Sequence, residues 1–162
     1  MQTGPLDAPP AARQLRQIDG GLLVQASDHL PDPEEEWTVV TKTQPEADQW
    51  DDLRFAWAVV RHVKSNAIVL AASRALVGVG AGQMSRVDSV DIAVKKAGDR
   101  AAGSVLASDA FFPFADSVEQ AAAAGIRAII EPGGSRRDDD VIAACDERNI
   151  PMIFTARRHF KH

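Results

Sequence analysis

Four stretches of the chain bring together residue types that could do chemistry. The first is GVGAGQMSR, residues 78–86. Its glycines would let backbone approach a ligand, and the helix that follows would offer free N–H groups to an anion. Arg86, one turn in, could close on a phosphate or carboxylate. The Gly78-x-Gly80-x-Gly82 interval is not that of a dinucleotide fingerprint, and the same pattern also describes a tight turn. The second stretch is SDAFFPFAD, residues 108–116. Phe111, Phe112 and Phe114 sit beside Pro113 in a loop, where rings must find cover in a pocket or an interface. A flat heteroaromatic ligand would suit them, while Asp116 has an ordinary role as helix N-cap. The third is KSNAI, where Asn66 offers both donors and an acceptor, although asparagine at a helix end commonly caps or turns the chain. The fourth is RRHFKH at the C-terminus. Arg157, Arg158, His159, Lys161 and His162 form either a solvated basic tail or an anion-binding strand exit.

Other chemistries find no support in the sequence. The H-x-E and P-C-x-x-C segments of a zinc deaminase, the G-x-S-x-G elbow and the Walker loop do not occur. His62, His159 and His162 have no recognisable zinc spacing. The single cysteine, Cys145, lies in the run VIAAC and reads as a small core residue. One cysteine permits no internal disulfide. The formal charge is −5, which argues against a general nucleic-acid or anionic-membrane surface. No apolar run approaches the ~18–20 residues needed to span a bilayer. The 162 residues are 45% hydrophobic and 25% charged, an ordinary globular balance with enough apolar material for one core.

The elements that must position these residues can be read from period and punctuation. Residues 1–14, with Pro5, Pro9 and Pro10, read as a flexible tail. Strand-length pieces occupy residues 21–25 and 38–41, separated by the acidic, proline-bearing DHLPDPEEE. Thr43 and Glu46 have capping-box spacing, so a helix is expected from about residue 43, with Trp50, Leu53, Trp57 and Val60 as its buried stripe. AIVLA and ALVGVG read as a hairpin turning at Ser73 and Arg74. A helix then runs to about Lys96. Strand and helix alternate afterwards: a strand at 104–107, a helix from Asp116 ending at Gly125, and a strand at 126–130. A further helix starts with Asp138, Asp139 and Asp140 and ends at Asn149, and a last strand covers 151–155. This order predicts a mixed sheet, parallel in its later half, with helices on both faces. Ligands of such sheets gather at the carboxyl ends of the strands.

Taken together, KSNAI, GVGAGQMSRVDS, ASDAFFPFADS, EPGGSRRDDDVI and FTARRHFKH occur in the order found in one family, with LRQIDGGLLVQ and VVTKTQP upstream matching its style. From residue 15 to 162 the chain resembles the bifunctional purine-biosynthesis enzymes, the aminoimidazole carboxamide ribonucleotide (AICAR) transformylase/IMP cyclohydrolases. The resemblance implies an α/β fold, cytidine-deaminase-like, a three-layer α-β-α arrangement with a mixed sheet. It implies the second of two such subdomains in the transformylase region. The implied reaction carries the formyl group of 10-formyltetrahydrofolate, as co-substrate, to the 5-amino group of AICAR. Asn66 matches the asparagine beside the reacting groups. Arg86, Phe111 and Arg158 match positions that bind AICAR; Val87, Asp116, Ser135 and Arg136 match the folate side, and no metal site is implied. A monovalent cation requirement stays open. The resemblance also implies a cytoplasmic homodimer or an association with the missing transformylase subdomain, with no nucleic-acid or membrane partner. The chain departs from the family in lacking an FKHVNPAG-like segment, which carries a lysine–histidine pair, and the cyclohydrolase domain. Little turnover alone is therefore expected, and the alternative is a stand-alone purine-nucleotide or folate binding module. Arg86→Ala and Arg158→Ala are each expected to weaken AICAR binding with little loss of fold.

Overall fold

The computed structural model describes residues 13–28 and 32–161. The chain divides into two compact units, Met1–Pro31 and Asp32–His162. In the first, β1 (Arg13–Ile18) pairs antiparallel with β2 (Gly21–Ala26). Asp19 and Gly20 close the hairpin, with Gly20 at φ +77°, as an Asp-Gly turn demands. The expected strand at 21–25 is present. The expected tail ends earlier than residue 14, because Arg13 and Gln14 already pair with Ala26 and Gln25; the rest of that tail lies outside the described residues.

The second unit holds one six-stranded sheet. In chain order its elements are β3 (Thr38–Val39), α1 (Ala47–Val60), β4 (Ile68–Ala72), β5 (Ala75–Gly80), α2 (Arg86–Ala97), β6 (Val105–Ser108), α3 (Asp116–Ala123), β7 (Ala128–Glu131), α4 (Asp138–Glu147) and β8 (Met152–Phe154). The spatial order is β3-β8-β7-β6-β4-β5. β6, β7 and β8 run parallel, and β4 is antiparallel to both β5 and β6. β5, β6, β7 and β8 thus all point the same way, and the N-terminal end of β4 lies at the edge where they finish. The mixed sheet expected from the order of elements is the one observed.

Alternation along the strands divides the core between two faces. Val69, Ala71, Val105, Ala107, Ile130 and Ile153 face α1, whose Leu53, Ala56, Trp57 and Val60 cover them. Ile68, Leu70, Leu106, Ile129 and Met152 face α2, α3 and α4 on the other side. The result is three layers, α-β-α. Helix α1 starts later than Thr43. Its capping box is Glu46 with Gln49, whose Oε1 accepts the Glu46 N–H at 2.8 Å. Glu-x-x-Gln does the same work as Thr-x-x-Glu one turn on, and Trp50 is only half-buried. Ser85 caps α2 by accepting the Asp88 N–H. Gly125 at φ +78° and Asn149 at φ +55° end α3 and α4, as the sequence predicts.

The β4–β5 turn lacks glycine, yet Ser73 and Arg74 both have positive φ, 53° and 55°. Asp52 of α1 compensates by accepting both their N–H groups, at 2.9 and 2.6 Å. At the far end of β5, glycine is a packing requirement. A Cβ on Gly80 would run into the Ser89 carbonyl of α2, and one on Gly78 into that of Ala93.

Candidate functional site

The strand directions gather five chain segments at one edge of the sheet. They are residues 64–67 entering β4, 81–86 leaving β5, 109–116 leaving β6, 132–137 leaving β7 and 155–161 leaving β8. A cleft of about 510 Å³ opens there. Its walls include Asn66, Arg86, Val87, Phe111, Asp116 and Arg158.

Asp109 lies beneath this cleft, fully buried. One carboxylate oxygen takes the Ala67 N–H at 3.1 Å and the Arg86 Nη1 at 2.6 Å; the other takes the Ser65 hydroxyl at 2.6 Å. Nη1 of Arg86 also donates to Ser108 Oγ at 2.8 Å, and Nη2 donates to Asn66 Oδ1 at 2.8 Å. The Asn66 Nδ2 group donates to the carbonyls of Gln83 and Met84, at 2.9 and 3.2 Å. Each polar atom of the Asn66 amide is engaged, so its orientation follows from the network. Arg86 is only 7% exposed. Its Nε–H and one Nη2–H have no hydrogen-bond partner among the described residues, and these can serve a ligand in the cleft. A buried pair of this kind costs several kcal/mol when one partner is removed. That corrects the expectation that Arg86→Ala leaves the fold almost untouched.

The three phenylalanines divide their roles. Phe112 is fully buried in the core, while Phe111 and Phe114 stay at the cleft. The Arg158 guanidinium lies 5.0 Å from the Phe111 ring centroid, and that of Arg137 lies 5.0 Å from Phe114. Two arginine–ring pairs therefore border the opening. Asp116 is the first residue of α3 rather than the residue before it, and its Oδ1 takes the Ser117 N–H at 2.7 Å. Among the described residues it is the one carboxylate in the cleft wall.

Ser135 and Arg136 are not brought into the wall. They sit in the loop leaving β7, with Ser135 half-buried and Arg136 exposed. Asp138 shapes that loop by accepting the Gly134 and Ser135 N–H groups, at 2.8 and 2.9 Å. The arginine of this loop that reaches the cleft rim is Arg137. Its position after two glycines and a serine gave no means of choosing it over Arg136.

Sequence reasoning missed Asp109 and Glu131 as well. Glu131 ends β7, fully buried, with Oε2 accepting the Phe112 N–H at 2.8 Å and Oε1 without a hydrogen-bond partner among the described residues. Its pKa is pushed up to about 8, first by burial; the Phe112 N–H bond pulls it down, Asp138 raises it and Arg86 lowers it. A carboxyl at the end of an apolar strand was the available signal. Burial likewise pushes the Cys145 thiol up to about 12, which makes it an inert core residue. No group of three or more potential metal ligands occurs among the described residues, and no helix there is long and apolar enough to cross a membrane.

Comparison with known proteins matches the same chain from end to end. The model of the AICARFT/IMPCHase bienzyme family matches residues 1–96. The bifunctional purine biosynthesis protein PurH of Rhodopirellula baltica is 62% identical over 162 residues, which is 100% of this chain and 31% of that protein. PurH of Desulfitobacterium hafniense is 58% identical over 149 residues, 92% of this chain and 29% of that one. The chain thus spans about a third of the length of the curated relatives it matches. Among solved structures, RibD of Acinetobacter baumannii aligns with a TM-score of 0.44 and 14% identity, covering 67% of this chain and 35% of that one. With more than half its length matched by the family model, and identities near 60% to PurH proteins, this chain belongs to the AICARFT/IMPCHase bienzyme family.

Proposed function

We propose that the chain is the C-terminal part of an AICAR transformylase and supplies the ligand-binding half of the formyl-transfer site of purine (IMP) biosynthesis. One observation carries the reading. A single cleft at the sheet edge gathers Asn66, Arg86, Phe111 and Arg158, the residues that match AICAR-contacting positions, together with Val87 and Asp116 from the folate side. Arginines hold anionic groups, and the Phe111 ring offers a face to a flat heterocycle. Asn66, locked by Arg86 and two carbonyls, stands beside the reacting amine. Asp116 can accept hydrogen bonds from a pterin. Ser135 and Arg136 would reach the folate only from the rim.

In the reaction, the amine nitrogen of AICAR bonds to the formyl carbon. The bond from that carbon to N10 of the folate breaks, and a proton passes from the amine to the departing nitrogen. Something must accept that proton. The cleft wall contains neither histidine nor lysine among the described residues, and its one carboxylate there, Asp116, is given to the pterin in this reading, so the acceptor would come from beyond this wall. The family's lysine–histidine segment, in a second subdomain or a partner subunit of a cytoplasmic homodimer, would provide it. The same feature favours a second reading, in which the chain alone binds nucleotide or folate without turnover.

The test mixes the chain with AICAR and 10-formyltetrahydrofolate and follows tetrahydrofolate by absorbance, alongside calorimetric titration with AICAR. Binding that Arg158→Ala weakens at least tenfold, without turnover, supports a half-site. Turnover by the chain alone would show that the proton acceptor lies within it. AICAR binding that ignores Arg158 would defeat the site assignment.

A further inference from the structure

The acidic run after Pro31 has no part in the cleft, yet it grips the segment that carries Arg158. The Asp32 side chain is only 4% exposed. Its Oδ2 accepts the Trp57 Nε1–H at 2.7 Å and lies 2.7 Å from Nε2 of His159, itself only 2% exposed. The His159 ring also meets the Trp57 ring edge-on at 5.0 Å. Four residues further on, Glu36 takes both Nε and Nη2 of Arg157, at 3.2 and 3.1 Å. The residues on either side of Arg158 are therefore held by the segment 32–36, while Arg158 itself lies against Phe111. Backbone bonds finish the seating: the Ala156 N–H reaches the Pro132 carbonyl and the His159 N–H reaches the Asp109 carbonyl, at 3.1 and 3.0 Å.

Magnitudes show why such a grip matters. Arg158 is exposed, and a cation–ring contact at an exposed site is worth less than the rotamer entropy an arginine loses when it is held in one place. The ring alone does not hold the guanidinium over the cleft; the fixed backbone on either side must narrow its choices. The Glu36–Arg157 pair is half-exposed and contributes little by itself. The buried Asp32–His159–Trp57 cluster is the main anchor.

We propose that Asp32 and His159 are positioning residues, which act through the strand exit at 155–159 to hold Arg158 against Phe111 for an anionic ligand. The proposal rests on the reading of the cleft given above. The test has two independent arms. In the free protein, NMR reads the ring-current displacement of the Arg158 side-chain protons, with Phe111→Leu as the reference for its loss. Asp32→Ala should remove at least half of it, and Asp32→Asn, whose amide oxygen can still accept from Trp57 and His159, should keep most of it. Methyl shifts of Ile68, Leu106 and Ile129 report whether the core remains native. If Asp32→Ala does not fold, His159→Gln breaks the cluster from the other side. Unchanged Arg158 shifts in the folded variants overturn the proposal. The second arm is a double-mutant cycle on AICAR affinity. Asp32→Ala should weaken binding at least fivefold in the wild-type background and not at all in Arg158→Ala. Equal losses in both backgrounds overturn the proposal, since a general loss of structure acts that way. If Arg158→Ala leaves AICAR binding unchanged, the reading of the cleft fails, and the NMR arm still decides the clamp.

Discussion

Arg86 and Arg158 both line the cleft wall, and their burial sets their consequences apart. Arg86 neutralises a carboxylate with no exposure to water, so Arg86→Ala should cost about 3–5 kcal/mol by leaving Asp109 unpaired. Arg158→Ala, at an exposed position, should change stability by less than about 0.5 kcal/mol. Urea unfolding of the two variants checks both; equal and small losses would mean that Asp109 finds another partner. Types and spacing marked Arg86 and the C-terminal basic cluster as possible anion sites, because glycine turns and strand exits are visible in sequence, and the family resemblance singled out Arg158 within that cluster. The partner that makes Arg86 structural was not visible, since a lone aspartate just after a strand looks like any loop acid. Glu131 was hidden for the same reason, and it carries a pH signature. Its folded pKa near 8 lies above the usual 4.5, so the native state binds the extra proton between those values. Stability from this group is full below about pH 4.5 and is lost as pH rises toward 8, by at most about 1.4 kcal/mol per unit. Glu131→Gln should keep the acceptor for Phe112 and remove the slope. The variant's melting temperature should exceed wild type at pH 8 and converge with it near pH 4.5. Parallel curves would place the titration elsewhere.

Each element owes its position to a small number of contacts that propensity does not encode. β1 was missed because RQLRQI has only two apolar residues, Leu15 and Ile18, and its order comes from its pairing with β2. The start of α1 was displaced because two capping boxes compete within one turn, and Pro45 precedes the one that forms. By contrast, the helix ends at Gly125 and Asn149 were legible, since left-handed backbone narrows the choice of residue. The packing of α2 on β5 depends on a residue with no side chain. Gly80 faces the Ser89 carbonyl, which is backbone and cannot swing away as a flexible side chain would. Gly80→Ala must therefore push α2 outward or bend β5. We expect a loss of about 1–3 kcal/mol, the usual range for overpacking. Because Ser85 and Arg86 open the same helix and line the cleft, the variant should also weaken the AICAR binding proposed above, whereas Gly21→Ala, with open space around it, should do neither. Chemical denaturation and titration of both variants decide this. Native stability and affinity in the Gly80→Ala protein would show that the contact relaxes freely.

At the scale of the second unit, a site made of five strand exits requires that the sheet hold all of them at once. The sequence foretold the alternation of strands and helices, and hence the edge where ligands gather, because periodicity and turn residues are local. Which wall residue touches which was not foretold, because β4 inserts between β5 and β6 and reverses the direction of one strand among those that form the edge. The two cores share that sheet, so they should unfold together. The three tryptophans, Trp37, Trp50 and Trp57, all lie on the α1 side, and their fluorescence reports that face alone. Ile129 lies on the opposite face, under α2, α3 and α4. Ile129→Ala should cost about 2–5 kcal/mol, and Leu53→Ala on the α1 face about the same. If the sheet couples the faces, Ile129→Ala must lower the tryptophan midpoint as far as it lowers the far-ultraviolet circular dichroism midpoint, although it touches no tryptophan. A fluorescence midpoint that stays at the wild-type value while the dichroism midpoint falls would mean that the α1 layer melts on its own. The C-terminal exit would then be split from its anchor, because Trp57 and Asp32 stand on the α1 side while Arg158 reaches across the edge to Phe111. One cooperative sheet is thus the physical condition for one cleft.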